Sequence, residues 1–118
     1  MSISFSVDEL NPHMRGSPIY VIGTLWMDPQ GIWLLDQDDL PAVEIIDTQA
    51  CQQLRARLAP AKDALYKCLL YAWLTGQPQQ WTLADLYWID LRELDSPEHH
   101  WPIQLPIRPV PPEYDSAR

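Results

Sequence analysis

The densest cluster of chemically active side chains is the acidic stretch DQDDL at residues 36–40. Calcium loops carry oxygen ligands at alternating positions, a glycine at the sixth position and a glutamate at the twelfth. Counted from Asp36, the sixth position is Pro41 and the twelfth is Asp47. The pattern therefore does not predict a metal site. It favours a solvated acidic loop or a docking site for a basic partner.

The other titratable residues form no catalytic pattern. The adjacent His99 and His100 point in opposite directions in an extended chain and rarely hold one ion. Asp85 and Asp90 are five residues apart, so on a regular strand they would face opposite sides. The sequence contains no nucleophile elbow, zinc-protease, P-loop or dinucleotide-binding motif. We expect no catalytic residues, no metal, no cofactor and no enzymatic activity.

Two cysteines, Cys51 and Cys68, are too far apart for a CxxC motif and have no histidine nearby in sequence. The first twenty residues show no secretion signal, because Asp8 and Glu9 stand where such a signal is apolar. We therefore expect a cytoplasmic protein in which both cysteines are free thiols that pack as small apolar residues.

The charge of the chain restricts its partners. Sixteen acidic residues against eight basic ones give a formal net charge of −8. Such a surface repels phosphate and attracts basic molecules, which disfavours nucleic acid and anionic membranes. The longest uncharged apolar run, residues 68–74, is far shorter than a membrane span. We expect a basic protein partner and no membrane contact.

The first half of the chain reads as three strands and a helix. Residues 19–27 are rich in β-branched and aromatic residues, the turn DPQG follows at 28–31, and residues 32–35 return as a hairpin partner. Residues 43–46 form a third strand. A helix over residues 48–59, capped by Asp47 or Thr48, places Cys51, Leu54 and Leu58 on one face.

The second half contains one ambiguous segment. As a strand, residues 64–74 align Tyr66, Cys68, Leu70, Ala72 and Leu74 on one face. As a helix, the same segment aligns a different apolar set, so periodicity alone leaves both readings open. The turn at residues 75–78 and the strand-like residues 81–91 favour a second hairpin. With six tryptophans and one phenylalanine, tryptophan is expected to be the main large core residue.

The last 22 residues differ in composition, since six of the twelve prolines lie there. We divide the chain into one domain at 1–96, with its core at 17–94, and a proline-rich extended tail at 97–118. Proline excludes a helix or a central strand from much of this tail. Its interspersed apolar residues, from Trp101 to Val110, could hold part of it against the domain.

The order of three strands, one helix and two strands resembles the OB-fold, a five-stranded Greek-key barrel with a helix between its third and fourth strands. The resemblance covers residues 17–94, includes Gly23 in the middle of the first strand, and concerns the fold alone. The expected fold class is mostly β with one helix. The resemblance implies a binding face on the second and third strands.

Acidic residues flank that predicted face, and the exposed tryptophan expected there suits a protein interface. We therefore predict a non-enzymatic protein-interaction module, such as an acidic inhibitor, immunity or adaptor protein, and an exposed edge strand would also allow a homodimer. The candidate partner-binding residues are Trp33, Asp36, Asp38, Asp39 and Glu44. The alternative is an OB-fold binder of single-stranded nucleic acid. That reading requires Arg55, Arg57, Lys62, Lys67 and Arg92 to converge.

Overall fold

The structure is a computed structural model that describes residues 3–58 and 64–114. Its elements follow one another as β1 (Ser4–Phe5), β2 (Pro18–Met27), β3 (Ile32–Leu35), β4 (Pro41–Ile45), α1 (Thr48–Leu58), β5 (Ala64–Gln77), β6 (Gln80–Glu93) and β7 (Ile103–Pro106). Single turns of 3₁₀ helix occur at Val7–Glu9, Pro12–Met14 and Pro112–Tyr114.

Five of these strands close a barrel in the order β2, β3, β4, β6, β5 and back to β2. Neighbouring barrel strands are antiparallel except β4 and β6, which are parallel. The helix α1 connects β4 to β5. This connectivity confirms the predicted fold class, a mostly β, OB-like barrel with one helix.

The ambiguous segment at residues 64–74 is a strand, because β5 pairs with β2 along one edge and with β6 along the other. The hairpin to β6 turns at Pro78 and Gln79. Gln79 has a φ of +72°, which matches the third position of a type II turn with proline at the second. Gly23 causes no bulge, since the pairing of β2 with β5 runs unbroken from Pro18 to Met27.

Aliphatic side chains fill the barrel. The largest fully buried residues are Leu25, Met27, Ile32, Leu34, Leu54, Leu70, Leu74, Leu83, Leu86, Ile89, Leu91 and Val21. Trp81 is the single tryptophan of the six in this core cluster. The expectation that tryptophan dominates the core is therefore wrong. The interior of a small barrel has little room for indole rings, so the other tryptophans lie outside it.

The helix α1 packs on the barrel through Ala50 and Leu54, which are fully buried, while Cys51 and Leu58 are partly buried beside them. The predicted apolar face is thus present but shifted so that Ala50 joins it. Within residues 3–58 and 64–114, no helix is long and apolar enough to span a bilayer.

Two irregularities interrupt the β5–β6 pairing, and each inserts an extra residue into β6. One of them lies between Asp85, which pairs with Trp73, and Asp90, which pairs with Leu69. An inserted residue reverses the alternation of a strand, so both aspartates lie on the outer face of the barrel. The prediction that they face opposite sides is wrong for this reason.

The described part of the proline-rich tail lies against the barrel and is extended from β7 to the 3₁₀ turn at Pro112–Tyr114. Its strand β7 pairs antiparallel with residues 88–91 of β6. Ile107 is buried in the main core cluster, and Ile103 and Leu105 pack against that cluster. Because β4 pairs with residues 81–83 of the same strand, β4 and β7 occupy successive parts of one edge of β6.

Asp47 closes the gap between β4 and β7. Its carboxylate, 5% exposed, accepts hydrogen bonds from the backbone N–H of Ala50 at 3.2 Å and of Leu86 at 2.8 Å. Nη2 of Arg108 lies 2.6 Å from both of its oxygens. One buried side chain therefore links the start of α1, the middle of β6 and the tail.

Candidate functional site

Two tryptophans lie side by side on the outer face of the barrel. Trp26 of β2 pairs with Trp33 of β3, and Trp33 pairs with Glu44 of β4. The ring centroids are 5.3 Å apart at an interplanar angle of 32°. Each tryptophan stands between two buried core residues, so strand alternation directs both rings outward. The strands β3 and β4 are those on which the resemblance to the OB-fold predicts a binding face.

The turn before β3 constrains the ring of Trp33. A β-carbon at Gly31 would lie 2.8 Å from this ring, so a glycine is required for the indole to lie against the backbone. Asp28 fixes the turn, since its Oδ1 accepts hydrogen bonds from the N–H groups of Gln30 at 2.7 Å and Gly31 at 3.0 Å.

The acidic loop joins β3 to β4 beside the tryptophans. Oδ1 of Asp36 accepts hydrogen bonds from the N–H groups of Asp38 at 2.8 Å and Leu40 at 3.1 Å. Asp39 has a φ of +60°, a conformation that aspartate tolerates better than most residues. Asp36 thus organises the loop, while the carboxylates of Asp38 and Asp39 are exposed.

An apolar groove of about 580 Å³ runs alongside Trp26. Its lining consists of Thr24, Trp26, Leu35, Asp39, Pro41, Leu65 and Leu94. Leu65 and Leu94 are each 44% exposed. Leu40, which follows the lining residue Asp39 in the chain, is 59% exposed. Among the described residues, Asp39 is the one ionisable side chain in this lining. Exposed leucines concentrated around one groove are typical of an interaction site.

Three smaller grooves adjoin the first. One of about 420 Å³ and one of about 300 Å³ share Pro41 with it, and the third, of about 240 Å³, shares Thr24 and Leu35. The charged residues that line the four grooves together are Asp8, Asp36, Asp39, Glu44 and Lys67. Counted over the described residues, four carboxylates against one amine give this face an excess of negative charge.

The predicted partner-binding residues lie on this face. Trp33 and Glu44 are cross-strand neighbours and line the same groove. Asp39 lines the groove of about 580 Å³ with Trp26, and Asp36 lines those of about 420 Å³ and about 240 Å³. Asp38 is exposed in the loop but lines none of these four grooves.

The predicted nucleic-acid-binding residues lie on separate elements. Arg55 and Arg57 belong to the last turns of α1, whereas Lys67 of β5 pairs with Arg92 of β6. Arg92 donates a hydrogen bond to the carbonyl oxygen of Glu98, and its guanidinium lies 5.1 Å from the centroid of the Trp101 ring. Lys67 lines the groove of about 240 Å³. Lys62 lies outside the described residues.

Burial sets the pKa values of the two thiols. Cys68 is fully buried, and burial raises the pKa of its thiol to about 12. Burial also raises the pKa of the partly buried Cys51, whose Sγ donates a hydrogen bond to the carbonyl oxygen of Ile45. Both cysteines are free. A raised pKa leaves little thiolate at neutral pH, so neither sulfur is an activated nucleophile.

The pKa values of a tyrosine and a glutamate are also shifted. Burial raises the pKa of the Tyr87 phenol, and hydrogen bonds from Ser6 lower the pKa of the Glu9 carboxyl. Among the residues that the structure describes, no three histidines, cysteines or acidic residues are grouped so that they could hold a metal ion.

The sequence did not point to Trp26, Leu65 or Leu94 as members of the site. A sequence signal was present for Trp26, which alternates with the buried Leu25 and Met27, and Leu65 is its cross-strand partner on β5. Leu94 follows the end of β6 and reaches the groove only through the path of that long strand. Its place could not be inferred without the barrel closure.

Comparisons with known proteins identify no relative, so a proposal for the function rests on the fold and on this face. The chain matches no protein-family model, and searches of curated proteins and of solved structures give no match either.

Proposed function

We propose that this protein is a non-enzymatic interaction module that binds a basic protein through the face formed by Trp26, Trp33 and the adjoining grooves. The observation that carries the proposal is the apolar groove of about 580 Å³ beside a half-buried aromatic pair, with Asp39 as the ionisable residue among the described residues of its lining. The partner would insert an apolar side chain flanked by lysine or arginine.

The aromatic pair supplies the binding energy in this proposal. Tryptophans are enriched among the residues that dominate protein interfaces, because they bury a large area and lose little rotamer freedom. Trp26 and Trp33 are half-buried, and the neighbouring Leu65 and Leu94 are exposed. A partner covering all four would remove several apolar side chains from water at once.

The carboxylates orient the partner and select a partner of positive charge in this proposal. Asp36, Asp39 and Glu44 each line a groove that includes Pro41, and the whole chain carries a net charge of −8. Such a field speeds encounter with a basic partner and repels an acidic one. It also opposes a nucleic-acid backbone, which is why we prefer a protein partner to a single strand.

The biological outcome depends on which surface of the partner is covered. Covering an active site would make this protein an inhibitor or immunity protein, and covering another surface would make it an adaptor. The proposal places the protein in the cytoplasm, where Cys51 and Cys68 would remain thiols.

The test selects ligands from a library of displayed random peptides on the unaltered protein and on three variants. We expect the selected peptides to be basic, with a large apolar residue among the charges. Trp33→Ala should weaken their binding by at least about tenfold. Asp39→Lys should weaken it and reduce its salt dependence. Trp73→Ala, a tryptophan of another surface, is the matched control and should change binding less than about twofold.

Three results would contradict the proposal: selected peptides without excess positive charge, equal binding to the Trp33→Ala variant, or binding lost in the Trp73→Ala control. A further arm uses a labelled oligothymidine at low salt, where binding to phosphate is strongest. Retention of the oligonucleotide with loss in the Lys67→Ala variant would replace the protein partner by a nucleic acid.

A further inference from the structure

A second group of aromatic residues lies outside the barrel, on the outer faces of β2, β5 and β6. We call it the aromatic surface and define it by Tyr20, Tyr71, Trp73, Tyr87 and Trp88. Tyr20, Tyr71 and Trp88 are successive cross-strand partners. The ring centroids of Tyr20 and Tyr71 are 4.4 Å apart, and those of Tyr71 and Tyr87 are 5.6 Å apart. This surface shares no residue with the four grooves.

The end of the chain's own tail lies on the aromatic surface. Val110 packs against it, and the ring of Tyr114 meets Trp73 edge to face with the centroids 6.0 Å apart. The hydroxyl of Tyr71 donates a hydrogen bond of 3.4 Å to the carbonyl oxygen of Tyr114. Prolines stand on both sides of Val110, at 109 and 111, and a third follows at 112.

The chemistry of this contact is that of proline-rich recognition. Each proline fixes its own φ and has no N–H group that needs a partner, so the segment loses little entropy and no hydrogen bonds when it lies on an apolar surface. Surfaces lined with aromatic side chains recognise such segments in other proteins. The tail therefore shows which ligand the aromatic surface accepts.

The root and the tip of the tail are held differently. At the root, the N–H groups of Ile107 and Arg108 both donate to the carbonyl oxygen of Tyr87, and Arg108 contacts the buried carboxylate of Asp47. The tip, residues 109–114, makes the valine and tyrosine contacts, and its residues are all exposed or half-buried. The tip can consequently leave while the root stays in place.

From this asymmetry we infer that the aromatic surface is a binding site for a proline-rich segment of a partner protein, and that the tip of the tail occupies it in competition. The ligand is a short segment with an aliphatic residue between prolines and an aromatic residue after them, which the tip presents from the 3₁₀ turn Pro112–Tyr114. Because the competing tip is part of the same chain, it acts at a millimolar effective concentration and lowers the apparent affinity for the partner.

The probe is a fluorescent peptide with the sequence of residues 107–114, IRPVPPEY. It is titrated against the unaltered chain and against a full-length variant, Val110→Ser with Tyr114→Ala, whose tip has lost its two main contacts. We expect the variant to bind the peptide at least about tenfold more tightly than the unaltered chain. A peptide with its three prolines replaced by alanine should bind at least about tenfold more weakly.

Two further substitutions locate the binding. We call the chain with Val110→Ser and Tyr114→Ala the opened variant. In it, Trp73→Ala should weaken peptide binding at least about tenfold, whereas Trp33→Ala should leave the affinity within about twofold. Equal binding to the opened and unaltered chains would overturn the inference, as would equal binding of the alanine peptide. Loss on Trp33→Ala would overturn it too, because the peptide would then occupy the face of the proposed function.

Two measurements on the unaltered chain keep the inference testable if the opened variant fails to fold. In fluorine NMR of fluorotryptophan-labelled protein, the peptide at about millimolar concentration should shift the signals of Trp73 and Trp88 but not that of Trp33. Unshifted signals for both would overturn the inference. Sedimentation of the unaltered chain should show a monomer. A dimer abolished by Val110→Ser would show that a second copy supplies the segment, and would overturn the assignment to a partner.

Discussion

Replacing Asp47 by alanine should destabilise the protein more than any comparable change on its surface. The carboxylate is 5% exposed and contacts three separate parts of the fold, through the N–H groups of Ala50 and Leu86 and through Arg108. We expect the free energy of unfolding to fall by about 3–5 kcal/mol, the usual loss when one partner of a buried ion pair is removed.

The magnitude follows from the three contacts. Loss of the helix cap at Ala50 costs about 1 kcal/mol. The N–H of Leu86 would be left buried without this acceptor, which costs about 1–3 kcal/mol. The side chain of Arg108 is 27% exposed, so water can partly solvate its charge and its contribution is about 1 kcal/mol. Asp47→Asn keeps one acceptor oxygen and should cost about half as much as alanine.

The assay is urea unfolding followed by tryptophan fluorescence, with equal denaturant dependence required of all variants. Native-state hydrogen exchange gives the local readout. The amides of Leu86 and Ile107, which donate to Asp47 and to Tyr87, should exchange much faster in Asp47→Ala. Asp28→Ala is the matched control, because it removes the same kind of side chain to backbone hydrogen bonds at an exposed turn, and it should cost about 1 kcal/mol or less.

A double-mutant cycle separates the ion pair from the other two contacts. Asp47→Asn and Arg108→Met, alone and combined, should give a coupling free energy of about 1 kcal/mol. A coupling within about 0.5 kcal/mol of zero would show that the tail is not held by this pair. A loss below about 1 kcal/mol in Asp47→Ala would refute the whole account of the gap between β4 and β7.

Two further predictions concern single sites. Gly76→Ala should lower the free energy of unfolding in urea by about 2–3 kcal/mol, because its φ is +91° and a β-carbon would collide with the carbonyl oxygen of Gln80. Gly16→Ala is the control: its φ is +79°, nothing lies near the new β-carbon, and the loss should be about 1 kcal/mol. Equal losses in the two variants would contradict the collision. Because burial raises the pKa of Cys68 from 9.0 to about 12, the unfolded chain loses this proton first, so the stability that Cys68 contributes is complete below pH 9 and falls as the pH rises toward 12. A Cys68→Ala variant should lose stability less steeply across that range, and a parallel pH dependence would contradict the assignment.

The hairpins and the helix could be predicted because local chemistry determines them. Proline and glycine at fixed turn positions, an acidic cap before the helix and alternation in β2 each act over a few residues. The segment at 64–74 was ambiguous for a physical reason. Its outward side chains, among them Leu69, Tyr71 and Trp73, are apolar too, because other aromatic rings and the tail cover part of that face. A strand covered on both sides loses its period of two.

The bulges of β6 have no sequence signal, and with them the faces of Asp85 and Asp90 could not be predicted. The candidate site was predicted in part for a similar reason. Trp33 and the aspartates of the loop are neighbours in sequence, so their proximity follows from one turn. Leu65 and Leu94 join them only because β5 pairs with β2 and with β6, contacts that depend on closing the barrel.

The distribution of tryptophans connects the fold to both proposals. A five-stranded barrel closed by leucine, isoleucine and valine holds Trp81 inside and forces the remaining indole rings outward. Large aromatic side chains on an outer face are stabilised when another segment or a partner buries them. Trp88 is 8% exposed beside the tip of the tail, whereas Trp26 and Trp33 remain half-exposed among acidic grooves. The same surplus of rings therefore provides one surface that a proline-rich segment already covers and one on which a basic partner would complete the burial.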